Sequence, residues 1–298
     1  MRYGIGYKGS KSKIAKEIID VLPSGDRFID LFGGGGAVSH CASLSGKYKE
    51  VIYNDLNPSI YSLVKDTFTG KYTKDKSLFE WVSRDIFNKE RMENPVIRWC
   101  WSFGCDGLYY LYSKEMECIK ESVYKAIVNK EYSTVFLELT SNLIPFGDSV
   151  DLTVRKSEWS SFCRTMLKTP DKYRVESLER LLSLYSFTLL NNISFTNTTY
   201  LDYEYRDGDI VYCDPPYCGK RQDAYKGFDS KQFIEWARQI PCYISEYCMP
   251  EDFSTLYSKN VQNNANRVNI TNLRAEEKLF VSPCYKGTVC VNVNHTQY

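Results

Sequence analysis

Four short apolar runs constrain this chain more than anything else in it: RFIDLF at 27–32, EVIYND at 50–55, DIVYCD at 209–214 and CYISEY at 242–247. Successive apolar residues over so short a length suit strands covered on both faces, because a half-exposed strand would alternate. Helical patterns lie between them. Ile14, Ile18, Ile19 and Leu22 form one apolar stripe, with Ser10 as the expected N-cap. Asn57-Pro58 opens a second helix bearing Ile60, Leu63 and Val64, and residues 228–240 read as a third. Strands alternating with helices predict an α/β fold built on a doubly wound, mainly parallel sheet. The segment 278–294 differs. Two apolar stretches flank Lys286-Gly287, which reads as a hairpin turn at an antiparallel edge.

Residues 71–190 break the alternation. They are richer in charge and hold helical stretches such as SLERLLSLYSF at 177–187. This middle is expected to be an inserted, mainly helical domain, with 1–70 and 191–298 forming the domain around it. Within it, RWCWSFGCDGLYYLY at 98–112 sets Gly104 and Gly107 between apolar stretches, in the manner of a hairpin.

Composition narrows the class. The 298 residues are 43% hydrophobic and 25% charged, enough for a sizeable core. No apolar run approaches the roughly 20 residues that span a bilayer, and the polar start lacks a secretory pattern, so a cytoplasmic protein with no membrane partner is expected. Eleven cysteines, no CxxC pair and only His40 and His295 point to reduced, buried thiols and to no metal site. A net charge of +1 neither requires nor excludes a nucleic acid, since a local cleft can be basic.

Three motifs carry chemistry. DLFGGGGAV at 30–38 lies where a strand turns into a helix, and glycines there let the backbone bend and approach a ligand. Gly33 and Gly35 satisfy GxG, but the third position of a dinucleotide fingerprint falls on Val38. Asp55 ends the next strand, where an acid commonly accepts from ribose hydroxyls; Asn57 is better placed to cap the following helix, which would free Asp55 for a ligand. Together these two motifs predict a nucleoside-containing cofactor at the strand ends, either NAD or S-adenosylmethionine. The third motif is Asp214-Pro215-Pro216-Tyr217. Two prolines directly after a buried strand stop the ladder and fix the Pro215 carbonyl in an extended backbone. A carboxylate, a carbonyl and a flat ring are what a planar amino group on a heteroaromatic base requires.

In motif order the chain resembles the Dam-like DNA adenine-N6 methyltransferases of the phage and bacterial type: an N-terminal segment, the glycine loop, an acid, an inserted domain, then DPPY. Tyr7-Lys8-Gly9-Ser10-Lys11 is similar to that family's aromatic-x-Gly-x-Lys. The resemblance implies a Rossmann-like catalytic domain, a target-recognition domain at 71–190, S-adenosylmethionine as cofactor and double-stranded DNA as partner, with no obligate protein partner. It implies cofactor contacts at Tyr7, Lys11, Asp30, Phe32, Gly33, Gly35, Asp55 and Asp214, Lys11 at the methionine carboxylate. It implies catalysis by Asp214, Pro215, Pro216 and Tyr217 on an adenine flipped out of the duplex. Arg84, Arg91, Arg98, Lys114, Arg155, Lys156 and Arg164 are candidate phosphate contacts, and Tyr225 and Phe228 candidate pocket walls. Methylation of cytosine N4, of RNA adenine or of a protein amide, an NAD-dependent oxidoreductase and a non-catalytic DNA-binding relic are the alternatives.

Overall fold

The computed structural model describes residues 3–216, 228–262 and 274–285, and the chain divides into two compact units. The first unit comprises Met1–Gly4, Ser10–Tyr61 and Leu190–Tyr298; the second comprises Ile5–Gly9 and Ser62–Leu189.

The first unit is built on a seven-stranded sheet. Its strands are β1 (Gly25–Asp30), β2 (Tyr48–Asn54), β3 (Ile193–Thr196), β4 (Ile210–Cys213), β5 (Cys242–Glu246), β6 (Ser254–Gln262) and β7 (Arg274–Val281), in the order β3-β2-β1-β4-β5-β7-β6. The first five strands of that order run parallel, whereas β7 pairs antiparallel with both β5 and β6. The antiparallel edge is therefore present, but its arms differ from the expected ones. KLFV at 278–281 belongs to β7, and its hairpin partner is β6, which precedes it. The expected turn at Lys286-Gly287 lies outside the described residues.

Both faces of the sheet are covered, which is why its central strands read as continuous apolar runs. On one face, α1 (Ala15–Val21) and α2 (Ala37–Leu44) bury Ile14, Ile18, Ile19, Leu22, Val38 and Cys41 against Phe28, Tyr212 and Tyr243. On the other face, Ile29, Val211, Cys213 and Ile244 meet Phe233 and Ala237 of the short helix Ser230–Ala237. Each fully buried side chain of this size stabilises the fold by about 1.5–3 kcal/mol. The expected capping role of Ser10 is not observed. The N-cap of α1 is Ile14, without a side-chain cap, and the turn is opened by the Lys11 carbonyl, which accepts from the amides of Ile14 and Ala15. Ser10 Oγ instead accepts from the Ser12 amide, inside that opening turn.

The second unit is mainly helical among its described residues. Its longest helix, Lys114–Asn129, packs against Thr134–Leu139 and Leu152–Thr165. Trp81, Trp101, Tyr112 and Tyr124 form an aromatic core beside it. The segment after the helix Pro95–Cys100 doubles back as a short hairpin, closed by one bridge between Ser102 and Tyr110 and by hydrogen bonds from Phe103 N to Tyr109 O and from Leu111 N to Trp101 O.

Candidate active site at the strand ends of the first unit

The strand order turns outward in both directions from β1 and β4, so their carboxyl ends bound a crevice. Register places the acids there. Asp30 is paired with Tyr53 on one side and Tyr212 on the other, so Asp55 and Asp214 each lie two residues beyond its neighbours.

The glycine turn between β1 and α2 is tightly specified. Gly34 and Gly36 hold positive φ angles of 48° and 68°. A Cβ on Gly33 would sit 2.2 Å from the Tyr53 ring. Three amides of this loop are already used: Gly33 donates to Asn54 O at 2.8 Å, Gly36 to Gly33 O at 2.7 Å, and Gly34 to Asp55 Oδ2 at 2.8 Å. Asp55 is therefore not left free by Asn57. Its other oxygen, Oδ1, accepts from the Asn57 amide at 2.8 Å, while Asn57 Oδ1 accepts from Ser59. The carboxylate stands two residues before the donor, the spacing of an Asx turn, and both caps form in series. Burial pushes the Asp55 carboxyl up to about 6, against the lowering effect of the Asn57 and Gly34 amides.

Asp30 is buried at 1% exposure. Its Oδ2 accepts from Ser39 N at 3.2 Å and Ser39 Oγ at 2.6 Å, and its buried Oδ1 has no hydrogen-bond partner among the described residues. Burial raises its carboxyl to about 7, helped by the charges of Asp214 and Asp55 and opposed by Ser39.

Asp214 follows β4, with Pro215 buried behind it. Its Oδ1 lies 2.8 Å from Lys11 Nζ. Lys11 is itself 7% exposed; burial disfavours its charge, but Asp214 and Glu277 outweigh that and hold its ammonium above the usual lysine range. Lys11 and Asp214 are thus brought together in one ion pair. Phe32 is half-buried among the rings of Tyr200, Phe228 and Phe233, at centroid distances of 5.6, 5.9 and 5.6 Å. Tyr7 belongs to the second unit, where its ring meets Trp99 at 5.3 Å. Tyr217 and Tyr225 lie outside the described residues. Among the described residues no group of His, Cys, Asp or Glu is arranged to hold a metal ion, the three acids included.

Residues 7–95 match the family model of the D12 class N6 adenine-specific DNA methyltransferases. Over that segment the chain is similar to this family. That match points to an adenine-specific DNA methyltransferase. Two solved structures are similar at low level. A Haemophilus influenzae protein described as a methylase has a TM-score of 0.32 and 12% identity, with 91% of this chain and 95% of that one covered. The rRNA methyltransferase aviRa of Streptomyces viridochromogenes has a TM-score of 0.35 and 13% identity, with 93% and 86% covered. No curated protein matches this chain in sequence.

Two site-shaping residues escaped the sequence reading. Asn54, buried at the end of β2, donates to Leu31 O and Thr198 O and accepts from Thr196 Oγ1 and Thr198 N, tying the loops around the crevice together. Gly4, at φ +66°, donates to His40 Nδ1 at 3.0 Å and lies so near the glycine loop that a Cβ there would be 2.4 Å from Gly35 O. A buried histidine on α2 was the available sign of the second. Nothing local marked the first.

The candidate phosphate contacts divide. Arg155 is buried and donates to Val128 O; Arg84 is paired with Glu117 and Lys156 with Glu179. Their charges are used within the second unit. Arg91 and Arg98 have no carboxylate partner among the described residues, and Arg91 donates to the Leu108 carbonyl of the hairpin. Lys114 and Arg164 are exposed. No helix among the described residues is long and apolar enough to cross a membrane.

Proposed function

We propose that this chain transfers a methyl group from S-adenosylmethionine to N6 of an adenine flipped out of double-stranded DNA, at a specific site, in the cytoplasm. The observation that carries the cofactor assignment is the state of the glycine loop. A pyrophosphate needs free loop amides and positive surroundings. Here three loop amides are already donated, and Asp30, Asp55 and Asp214 stand together at the strand ends with Lys11 paired to Asp214. That balance suits a ligand bearing positive charge, and it argues against NAD. The unpartnered Asp30 Oδ1 fits a cationic group beside the loop, and the remaining lone pairs of Asp55 fit hydroxyl donors. Phe32 and the loop backbone would flank the cofactor.

When bound, the cofactor supplies an electrophilic sulfonium methyl. The protein's part is to present the nitrogen. N6 of adenine is a poor nucleophile because its lone pair is shared with the ring. Hydrogen bonds donated by the amino group to the Asp214 carboxylate and the Pro215 carbonyl draw the nitrogen toward a pyramidal shape and localise that lone pair. Lys11 holds the Asp214 carboxylate in place. Fixing both partners before reaction supplies much of the rate, as positioning and preorganised polar groups do. Tyr217 is assigned as the stacking platform, with Pro215 and Pro216 holding the segment extended.

The second unit is assigned to target recognition. Its 101–111 hairpin exposes Phe103 and Tyr109 at 66% and 70%, with Arg98 on the helix before it and Arg91 at the end of the helix Arg84–Glu90, donating to the hairpin's Leu108 carbonyl. Exposed rings beside basic groups suit stacking on bases and contact with phosphates.

Incubation of the purified protein with methyl-labelled S-adenosylmethionine and DNA from a methylation-free host tests the reading. Labelled N6-methyladenine, absent with Asp214→Ala, is the expected product. Cofactor binding without transfer to any DNA would overturn the enzymatic assignment, and label on cytosine or RNA would overturn the substrate.

A further inference from the structure

Lys11 has a second carboxylate within reach. Glu277 Oε2 on β7 lies 3.7 Å from Lys11 Nζ, against 2.8 Å for Asp214 Oδ1. Glu277 stands where the strand's alternation calls for a core residue. Two and four places further on, Leu279 and Val281 are buried against α1 and its flanks, and Glu277 shares a small space with Ile14, Ile18 and Leu279. Its side chain is only 13% exposed. A carboxylate among aliphatic groups is costly unless it is paired. A cation within reach is Lys11, which Asp214 also engages.

Two carboxylates on one ammonium do something that one does not. Lysine is a compact charge on a flexible four-carbon stem with three rotatable donors, so a single partner leaves its approach undetermined. A second acceptor on another strand fixes the direction from which Nζ meets Asp214. β7 is well placed for this, because its antiparallel pairing with β5 runs beside β4, the strand that carries Asp214.

We infer that Glu277 is a positioning residue for the transfer reaction: it holds Lys11 Nζ against Asp214 Oδ1 and thereby sets the orientation in which the Asp214 carboxylate receives the substrate amino group. This rests on the methyl-transfer reading above. Glu277 is assigned this role through Lys11 and not as a catalytic residue.

The test compares Glu277→Gln and Glu277→Asp in the parent and in a Lys11→Met background, using steady-state methyl transfer and, independently of activity, the pH titration of the Lys11 amine in isotope-labelled full-length protein. Glu277→Gln is expected to lower kcat about 10- to 100-fold, the scale of a small misplacement at a reacting group. KM for cofactor and DNA should stay within about twofold, since ground-state binding is untouched. Glu277→Asp keeps the charge with a shorter reach, should recover part of the loss, and serves where the amide variant does not fold. With Lys11→Met the second substitution should change nothing further. The Lys11 titration should move downward in Glu277→Gln. An active parent whose kcat or Lys11 titration is unmoved by Glu277→Gln, or an equal loss in the Lys11→Met background, would overturn the inference. A parent that transfers no methyl group, yet whose Lys11 titration responds to Glu277, would sink the functional reading and leave the ion-pair arrangement standing.

Discussion

Asp55 Oδ2 accepts the amide of Gly34 across 2.8 Å, while its Oδ1 accepts the amide of Asn57. One carboxylate thus anchors the glycine loop to the start of the next helix. Asp55→Ala removes both acceptors and should cost about 1–3 kcal/mol, as unsatisfied part-buried amides do. It should also abolish most of the thermal stabilisation that added S-adenosylmethionine gives the parent. Melting curves with and without cofactor check both effects.

Asp30 titrates at about 7 when folded, against an ordinary 3.8, because it is buried. Its folded value is raised, so its contribution to stability is fully present below about 3.8 and is lost as pH rises through about 7. Asp30→Asn keeps an acceptor for Ser39 and removes the charge. Relative to the parent it should gain stability steadily between these values, by on the order of 4 kcal/mol at the upper end. Urea unfolding from pH 4 to 8 measures this. The same variant should bind S-adenosylmethionine more weakly, since the anionic counterpart of the cofactor's cationic group is lost.

His40 carries the opposite sign. Burial pushes its imidazole down to about 4, and its neutral Nδ1 accepts from the Gly4 amide. Its contribution is fully present above its unfolded value of about 6.5 and is lost as pH falls to about 4. The urea midpoint of the parent should therefore fall more steeply across that window than that of His40→Gln. Amide exchange at Gly4 should quicken over the same range.

Tyr109 is largely exposed on the 101–111 hairpin and contributes no core packing. Tyr109→Ala should leave stability within about 0.5 kcal/mol of the parent, the usual range for a surface change. DNA affinity should fall roughly tenfold or more if the ring stacks on a base. Fluorescence anisotropy at two salt concentrations, beside a melting curve, separates the two.

The central strands, the stripe on α1 and the Asn57 cap were all legible in local pattern. Apolar run length and helical period are properties of adjacent residues, and they survive folding unchanged. The pairing of KLFV was not legible, because β6 carries a mixed polar sequence, STLYSKNVQ, that signals no strand by itself. Ser10 failed as a cap for a similar reason. A serine ahead of an apolar stripe is a local sign, but the Lys11 carbonyl had already opened the turn.

By itself the sequence determined the α/β class, the order of the strand-end motifs and the place of Asp30, Asp55 and Asp214 at those ends, because strand termination and turn chemistry are encoded within a few residues. The tertiary structure alone decided that three glycine-loop amides are spent, that Asp30 keeps a buried oxygen without a partner among the described residues, and that Lys11 stands between Asp214 and Glu277. Those facts depend on which residues from distant parts of the chain share one low-dielectric crevice, and burial and charge pairing there are set by the sheet order.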